Sequence, residues 1–203
     1  ITMFESITKT YHTFGLKPYT PKADNVVYHH CKTESVLLRE FLDLWSQDYP
    51  DIVTGWNSDG FDIPYIINRI VNVLGEDQAK RISPVNSIFL KPDVIQKFGR
   101  SMDRWVIHGL NCVDYKDIYE TFTRDKRESY SLDYISKVEL KEGKTAINAT
   151  NLAVLSDNHW DEYVDYNIQD VNLLIKLEDK LRYIKTMRII SHKGFCNVES
   201  TMG

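Results

Sequence analysis

Asp62, Tyr166 and Asp170 are the residues whose types and spacing best suit chemistry. Asp62 lies in Gly55-Trp56-Asn57-Ser58-Asp59-Gly60-Phe61-Asp62-Ile63-Pro64-Tyr65, where a strand-like run, Ile52 to Thr54, gives way to a helical one. A carboxylate there sits at a helix start and at the carboxyl end of a strand. Open α/β sheets place their ligands at such a junction, and the helix dipole favours the ionised form. Tyr166 and Asp170 stand one helical turn apart, on one face. Carboxylates are what hard divalent cations take as ligands, and a phenol with a reference pKa of about 10 stays a hydrogen-bond donor that can orient a water. Taken singly, each has a plainer reading. An Asp opening a helix is usually a cap, and a Tyr and an Asp at this spacing are usually just neighbours.

The elements that must position these residues follow from patterning. Downstream of Asp62, Ile63, Ile66, Ile67, Ile70, Val71 and Leu74 recur at helical spacing, with Pro64 suited to the first turn and Gly75 to the C-terminal cap. The apolar positions from Tyr163 to Met187 predict one long helix over residues 159–190, capped by Asp157 and carrying Tyr166 and Asp170. Upstream, residues 1–16 predict a pair of antiparallel strands and Val26 to His30 a short strand. Glu34 to Ser46 predicts a core helix capped by Thr33. Residues 85–107 read as a β-hairpin whose tip, Lys97 to Arg104, is basic and turn-prone. Cys112 to Tyr119 runs from strand into helix, and Leu132 to Leu140 is a helix capped by Ser131 or Ser129. His29-His30-Cys31 is a poor metal site, because adjacent strand residues point to opposite faces.

Asn-x-x-Gly-Phe-Asp-x-Pro-Tyr, at residues 57–65, resembles the second exonuclease motif of B-family DNA polymerases. Tyr-x-x-x-Asp, at Tyr166 and Asp170, resembles the third, and Ser-Tyr-Ser-Leu at 129–132 stands between them as in that family. The order and separation make the match specific, and within the family it is nearest the T-even-type bacteriophage members. The resemblance implies a 3′→5′ proofreading exonuclease in a DNA polymerase, on a ribonuclease-H-like α/β fold with a mixed sheet flanked by helices. It assigns residues 1–190 to the exonuclease domain, with 85–107 as a hairpin insertion, and residues 191–203 to the start of a linker toward the polymerase palm.

The implied chemistry is hydrolysis of a 3′-terminal phosphodiester by two divalent ions, Mg²⁺ or Mn²⁺, roughly 3.5–4 Å apart. Asp62 and Asp170 would be metal ligands and Tyr166 would orient the water. Asn57 and Phe61 would bind the substrate end, Phe61 by stacking on a base. Lys97, Arg100 and Arg104 at the hairpin tip would contact the DNA backbone. Asp114 and Asp117 are expected to be structural, since the metal positions of the family are matched elsewhere. The first exonuclease motif, Asp-x-Glu, occurs nowhere in these 203 residues. The chain therefore reads as a segment beginning after that motif, without the central strand that bears it and inactive alone. Its expected partners are a single-stranded 3′ end, primer-template DNA, the remainder of the polymerase chain and other replisome proteins.

Two other readings remain: a module that holds single-stranded DNA without cutting it, and a free-standing DEDD-type nuclease of the same fold. A formal net charge of −4 argues against a protein that coats duplex DNA, but not against one that grips a short end. The three cysteines are odd in number and widely spaced, which suggests neither a disulfide framework nor a zinc site. Without a membrane-length apolar run or a signal-peptide pattern, a cytoplasmic location with no membrane partner is expected.

Overall fold

Turn-forming residues cut the chain into short elements. The strands and helices up to the hairpin are β1 (Thr2–Glu5), β2 (Thr10–Gly15), β3 (Val26–His30), α1 (Glu34–Gln47), β4 (Ile52–Gly55), α2 (Asp62–Leu74) and α3 (Glu76–Ala79). Then come β5 (Ile88–Ile95), β6 (Ser101–Ile107), β7 (Asn111–Asp114), α4 (Tyr115–Phe122), α5 (Leu132–Leu140), α6 (Leu152–Asn158), α7 (Trp160–Leu181) and α8 (Tyr183–Gly194). The computed structural model describes residues 1–95, 101–141 and 152–202. The architecture is mixed α/β, and the chain divides into two units, each built from two separate stretches. One unit is Ile1–Leu37 with Arg127–Leu181; the other is Leu38–Lys126 with Arg182–Gly203.

In the first unit β2 pairs antiparallel with β1 and parallel with β3. Gly15 ends β2 where backbone and rings crowd together: a Cβ there would fall 2.1 Å from the Tyr28 hydroxyl and 2.8 Å from the Trp160 ring. Phe14 is buried and stacks on His29 with ring centroids 4.3 Å apart, while α7 packs against β1 and β2 and buries Val164, Leu173 and Leu177. The Tyr11 hydroxyl donates to Asn172 Oδ1 at 3.3 Å across the same contact. α5 packs on α7 through the same unit; Ser131 caps it by accepting from the Tyr134 N–H at 3.2 Å, and Lys141 ends it in the left-handed region at φ 60°.

In the second unit β4 and β7 pair in parallel, Ile52 opposite Asn111 and Gly55 opposite Asp114. Each strand feeds a helix, β4 into α2 and β7 into α4. α2 buries Ile67 and Ile70 completely, each contributing roughly 1.5–3 kcal/mol relative to exposure. Gly75 ends α2 at φ 97°, its N–H donating to Ile70 and Val71 carbonyls. α4 is aromatic and buried: Tyr115 and Tyr119 lie beneath Trp56 on one side and Tyr183 of α8 on the other. β5 and β6 form the expected antiparallel hairpin, with a bulge between Lys91 and Val94 where Pro92 has no N–H to give the ladder.

Two expectations are corrected. The single helix over 159–190 is two, α7 and α8, separated by Arg182 in the left-handed conformation at φ 56°. The apolar repeat runs through without Gly or Pro, so the sequence does not announce the break, which coincides with the boundary between units. Asp157 does not cap this helix; it lies in the last turn of a separate helix, α6, whose terminal carbonyls at Ser156 and Asp157 accept from Lys17 Nζ at 2.7 and 3.2 Å. Among the described residues no helix is long and apolar enough to cross a membrane.

Candidate functional site

The turn between β4 and α2 is shaped by one carboxylate from the neighbouring strand. Asp114, the last residue of β7, accepts the Asn57 N–H at 3.0 Å and the Lys116 N–H at 2.9 Å on Oδ1, and the Asp59 N–H at 3.1 Å on Oδ2. The same side chain thus caps α4 and gathers the turn. Asn57 adopts φ 65°, a conformation that asparagine tolerates better than most residues. Two backbone bonds complete the turn: Phe61 N–H to Asn57 O and Ile63 N–H to Ser58 O, each at 3.0 Å. Gly55 makes room, since a Cβ there would lie 2.9 Å from Ser58 Cβ and 3.7 Å from an Asp62 carboxylate oxygen.

Beneath the turn lies a buried charge network. Asp59 is 8 % exposed and takes Arg104 Nε on Oδ2 at 2.8 Å. A second nitrogen of that guanidinium, Nη2, donates to the Cys112 carbonyl at 2.8 Å, and the Cys112 N–H donates to Glu199 Oε1 at 2.9 Å. Burial pushes the Asp59 carboxyl up to about 7, against the pull of Arg104 and with help from Asp114, Asp117 and Glu199. Burial, then Asp117, raises Asp114 to about 6, opposed by the three N–H groups it accepts. Cys112 is pushed up to about 12, chiefly by burial, which keeps it a thiol.

Above the turn the side chains face solvent. Asn57, Phe61, Asp62 and Tyr65 are all exposed, and Phe61 and Tyr65 stack with ring centroids 5.8 Å apart at 14°. Phe61, 62 % exposed, has a free aromatic surface next to a carboxylate in the first turn of α2. The sequence-predicted residues Asn57, Phe61 and Asp62 therefore share one junction in the second unit. Tyr166 and Asp170 lie a turn apart and half-buried on α7 of the first. Among the described residues no three His, Cys, Asp or Glu side chains cluster so as to hold a metal.

Lys97 and Arg100 lie outside the described residues. Arg104 is not at the hairpin tip as expected: it belongs to β6, opposite Lys91, and its guanidinium turns toward Asp59 and Cys112. The structural expectation for Asp114 matches its capping bonds. Sequence reading missed Asp59, Arg104 and Glu199 as one network, since the partners lie 45 or more positions apart and no local pattern links them.

Residues 2–135 match the family described as DNA polymerase family B, exonuclease domain. The chain is 39 % identical over 161 residues to the DNA-directed DNA polymerase of Escherichia phage RB69, covering 79 % of this chain and 18 % of that one. It is 37 % identical over 159 residues to the DNA-directed DNA polymerase of Enterobacteria phage T4, covering 78 % and 17 %. A more distant relative, the DNA polymerase of Choristoneura fumiferana nuclear polyhedrosis virus, is 28 % identical over 213 residues, covering 96 % and 20 %. The chain spans about a fifth of the length of these relatives.

Proposed function

Because the chain belongs to the exonuclease domain of DNA polymerase family B, we propose that it serves 3′→5′ proofreading in a phage-like replicative DNA polymerase. The observation that carries this is the exposed junction of β4 and α2. It presents an amide, a free aromatic face and a carboxylate from Asn57, Phe61 and Asp62, inside the segment matched to the family. An aromatic face of this kind stacks on an unpaired base with little regard to sequence, at roughly 1–3 kcal/mol per base. Asn57 offers both a donor and an acceptor to the sugar or phosphate of the terminal nucleotide. Tyr166 is assigned to orient the attacking water.

A family-B exonuclease domain implies the use of divalent metal. The two carboxylates assigned to it, Asp62 and Asp170, are too few to fit a two-ion centre by themselves. No third candidate clusters with either among the described residues, and no Asp-x-Glu pair is present. This chain alone is therefore expected to excise little or nothing. The ribonuclease-H-like arrangement is supported by the parallel β4–β7 pair and by the mixed β1–β2–β3 sheet. Lys97 and Arg100 are assigned to the DNA backbone, the single-stranded 3′ end and primer-template DNA being the substrate, and the rest of the polymerase chain and replisome proteins the partners.

The test compares this chain with the complete polymerase on single-stranded DNA, with Mg²⁺ or Mn²⁺. Excision by the complete enzyme should vanish in Asp170→Ala while polymerisation persists. Strong excision by this chain alone, lost in Asp170→Ala, would show that another carboxylate, Asp114 or Asp117 first, completes the centre. A second reading, a module that binds single-stranded DNA without cutting it, is favoured by the same exposed Phe61–Tyr65 stack. It would show as binding by the complete enzyme with no excision under any metal.

A further inference from the structure

We propose that Asp114 is a positioning residue for excision, holding the Asn57–Asp62 turn in the shape that presents its side chains to DNA, with Arg104 bracing the same turn from below through Asp59. This rests on the proofreading assignment and adds to it two side chains that touch neither DNA nor the reacting atoms. Both carboxylate oxygens of Asp114 are engaged by the turn, Oδ1 with the Asn57 N–H at 3.0 Å and Oδ2 with the Asp59 N–H at 3.1 Å. A helix cap needs only one acceptor, which the Lys116 N–H already uses at 2.9 Å. The two bonds to the turn are thus additional to capping.

They matter because they fix the backbone from which Asp62 follows. Asn57 sits at φ 65°, and the next fixed points are the Asn57 and Ser58 carbonyls that open α2. Asp62 follows Asp59 by three residues, so a rotation of the Asn57–Asp59 backbone moves the start of α2 and its carboxylate with it. From below, Arg104 reaches two anchors at once, Asp59 Oδ2 and the Cys112 carbonyl, each at 2.8 Å. Its planar fork ties β6 and β7 to the turn in a way that a single ammonium cannot reproduce. Bonds to charged groups in a site shielded from water are strong, and a displacement of about 1 Å at a reacting group costs on the order of a hundredfold in rate.

The experiment separates capping from positioning in the complete polymerase. Asp114→Ser leaves a good cap, because a serine hydroxyl accepts from the Lys116 N–H, but its one oxygen cannot span both turn amides. Single-turnover excision of a single-stranded 3′ end should fall at least tenfold in Asp114→Ser, affinity for that end should weaken with it, and polymerisation should be unchanged. Arg104→Lys, which keeps the charge and reaches only one anchor, should lose excision to a smaller degree in the same pattern. If Asp114→Ser lowers the melting midpoint, Arg104→Lys alone decides. Wild-type excision in Asp114→Ser, or in a destabilised Asp114→Ser background wild-type excision in Arg104→Lys, overturns the proposal. Failure of the proofreading assignment looks different: the unaltered polymerase would not excise at all, or Asp170→Ala would excise normally.

Discussion

Replacing Arg104 with alanine is the sharpest test of the buried network. The substitution removes two bonds of 2.8 Å and leaves the Asp59 side chain, 9 % exposed, without its cation. Breaking a buried pair from one side costs about 3–5 kcal/mol; with Arg104 itself 26 % exposed, the lower end, about 3 kcal/mol, is expected. For a urea m-value of about 2 kcal/mol/M the midpoint falls by roughly 1.5 M with m unchanged. The loss must also depend on pH. Asp59 has its folded pKa raised, to about 7, so its contribution to stability is complete below the ordinary carboxylate range and declines as pH rises through 7. Without Arg104, whose charge opposes that rise, the decline continues to higher pH. Near pH 5 Asp59 is protonated in both proteins and needs no counter-charge, so the gap narrows to what the lost bond to the Cys112 carbonyl costs; at pH 8 it is widest. The reasoning fails if urea titrations at pH 5 and 8 give the same gap, or a gap under about 1 kcal/mol at pH 8.

Gly55→Ala should destabilise by about 1–3 kcal/mol and depress excision in the complete enzyme, because the new methyl would lie 2.9 Å from Ser58 Cβ; thermal melts and single-turnover excision check both effects. Lys141→Gly, at φ 60° behind α5, should raise stability by up to about 1 kcal/mol through relief of left-handed strain, read as a higher urea midpoint. Replacing Lys97 and Arg100 together should lower the salt slope of primer-end binding by somewhat under one unit per lost phosphate contact, while Arg104→Ala should leave that slope unaltered. A slope unchanged by the double replacement would remove Lys97 and Arg100 from DNA binding.

The junction around Asp62 was legible because every signal there is local. A β-rich triplet, a helical apolar repeat, Pro64 near its start and Gly75 at its end fall within 24 residues. The hairpin and the Ser131 and Thr33 caps were legible for the same reason. What the sequence hid depends on partners far along the chain. Arg104 looks like one more basic residue in a charged stretch, and only its approach to Asp59 shows that it faces inward. The break at Arg182 is hidden differently: the apolar repeat from Leu177 through Met187 continues in phase, and the interruption comes from the backbone of a residue with good helix propensity.

The interleaving of the two units constrains how the chain can be made. The first unit opens with Ile1–Leu37 and closes only with Arg127–Leu181; the second opens at Leu38 and needs Arg182–Gly203, which contains Glu199, the acceptor for the Cys112 N–H. During synthesis at roughly 5–20 residues per second, β1, β2 and β3 emerge many seconds before α7, which packs against β1 and β2, and the apolar side chains facing it stay uncovered meanwhile. Neither unit can be cut out as one continuous piece. Closure must await long-range contacts, so folding should be slow and open to chaperone capture at the stage when the chain up to residue 126 has left the ribosome and Arg127–Leu181 has not.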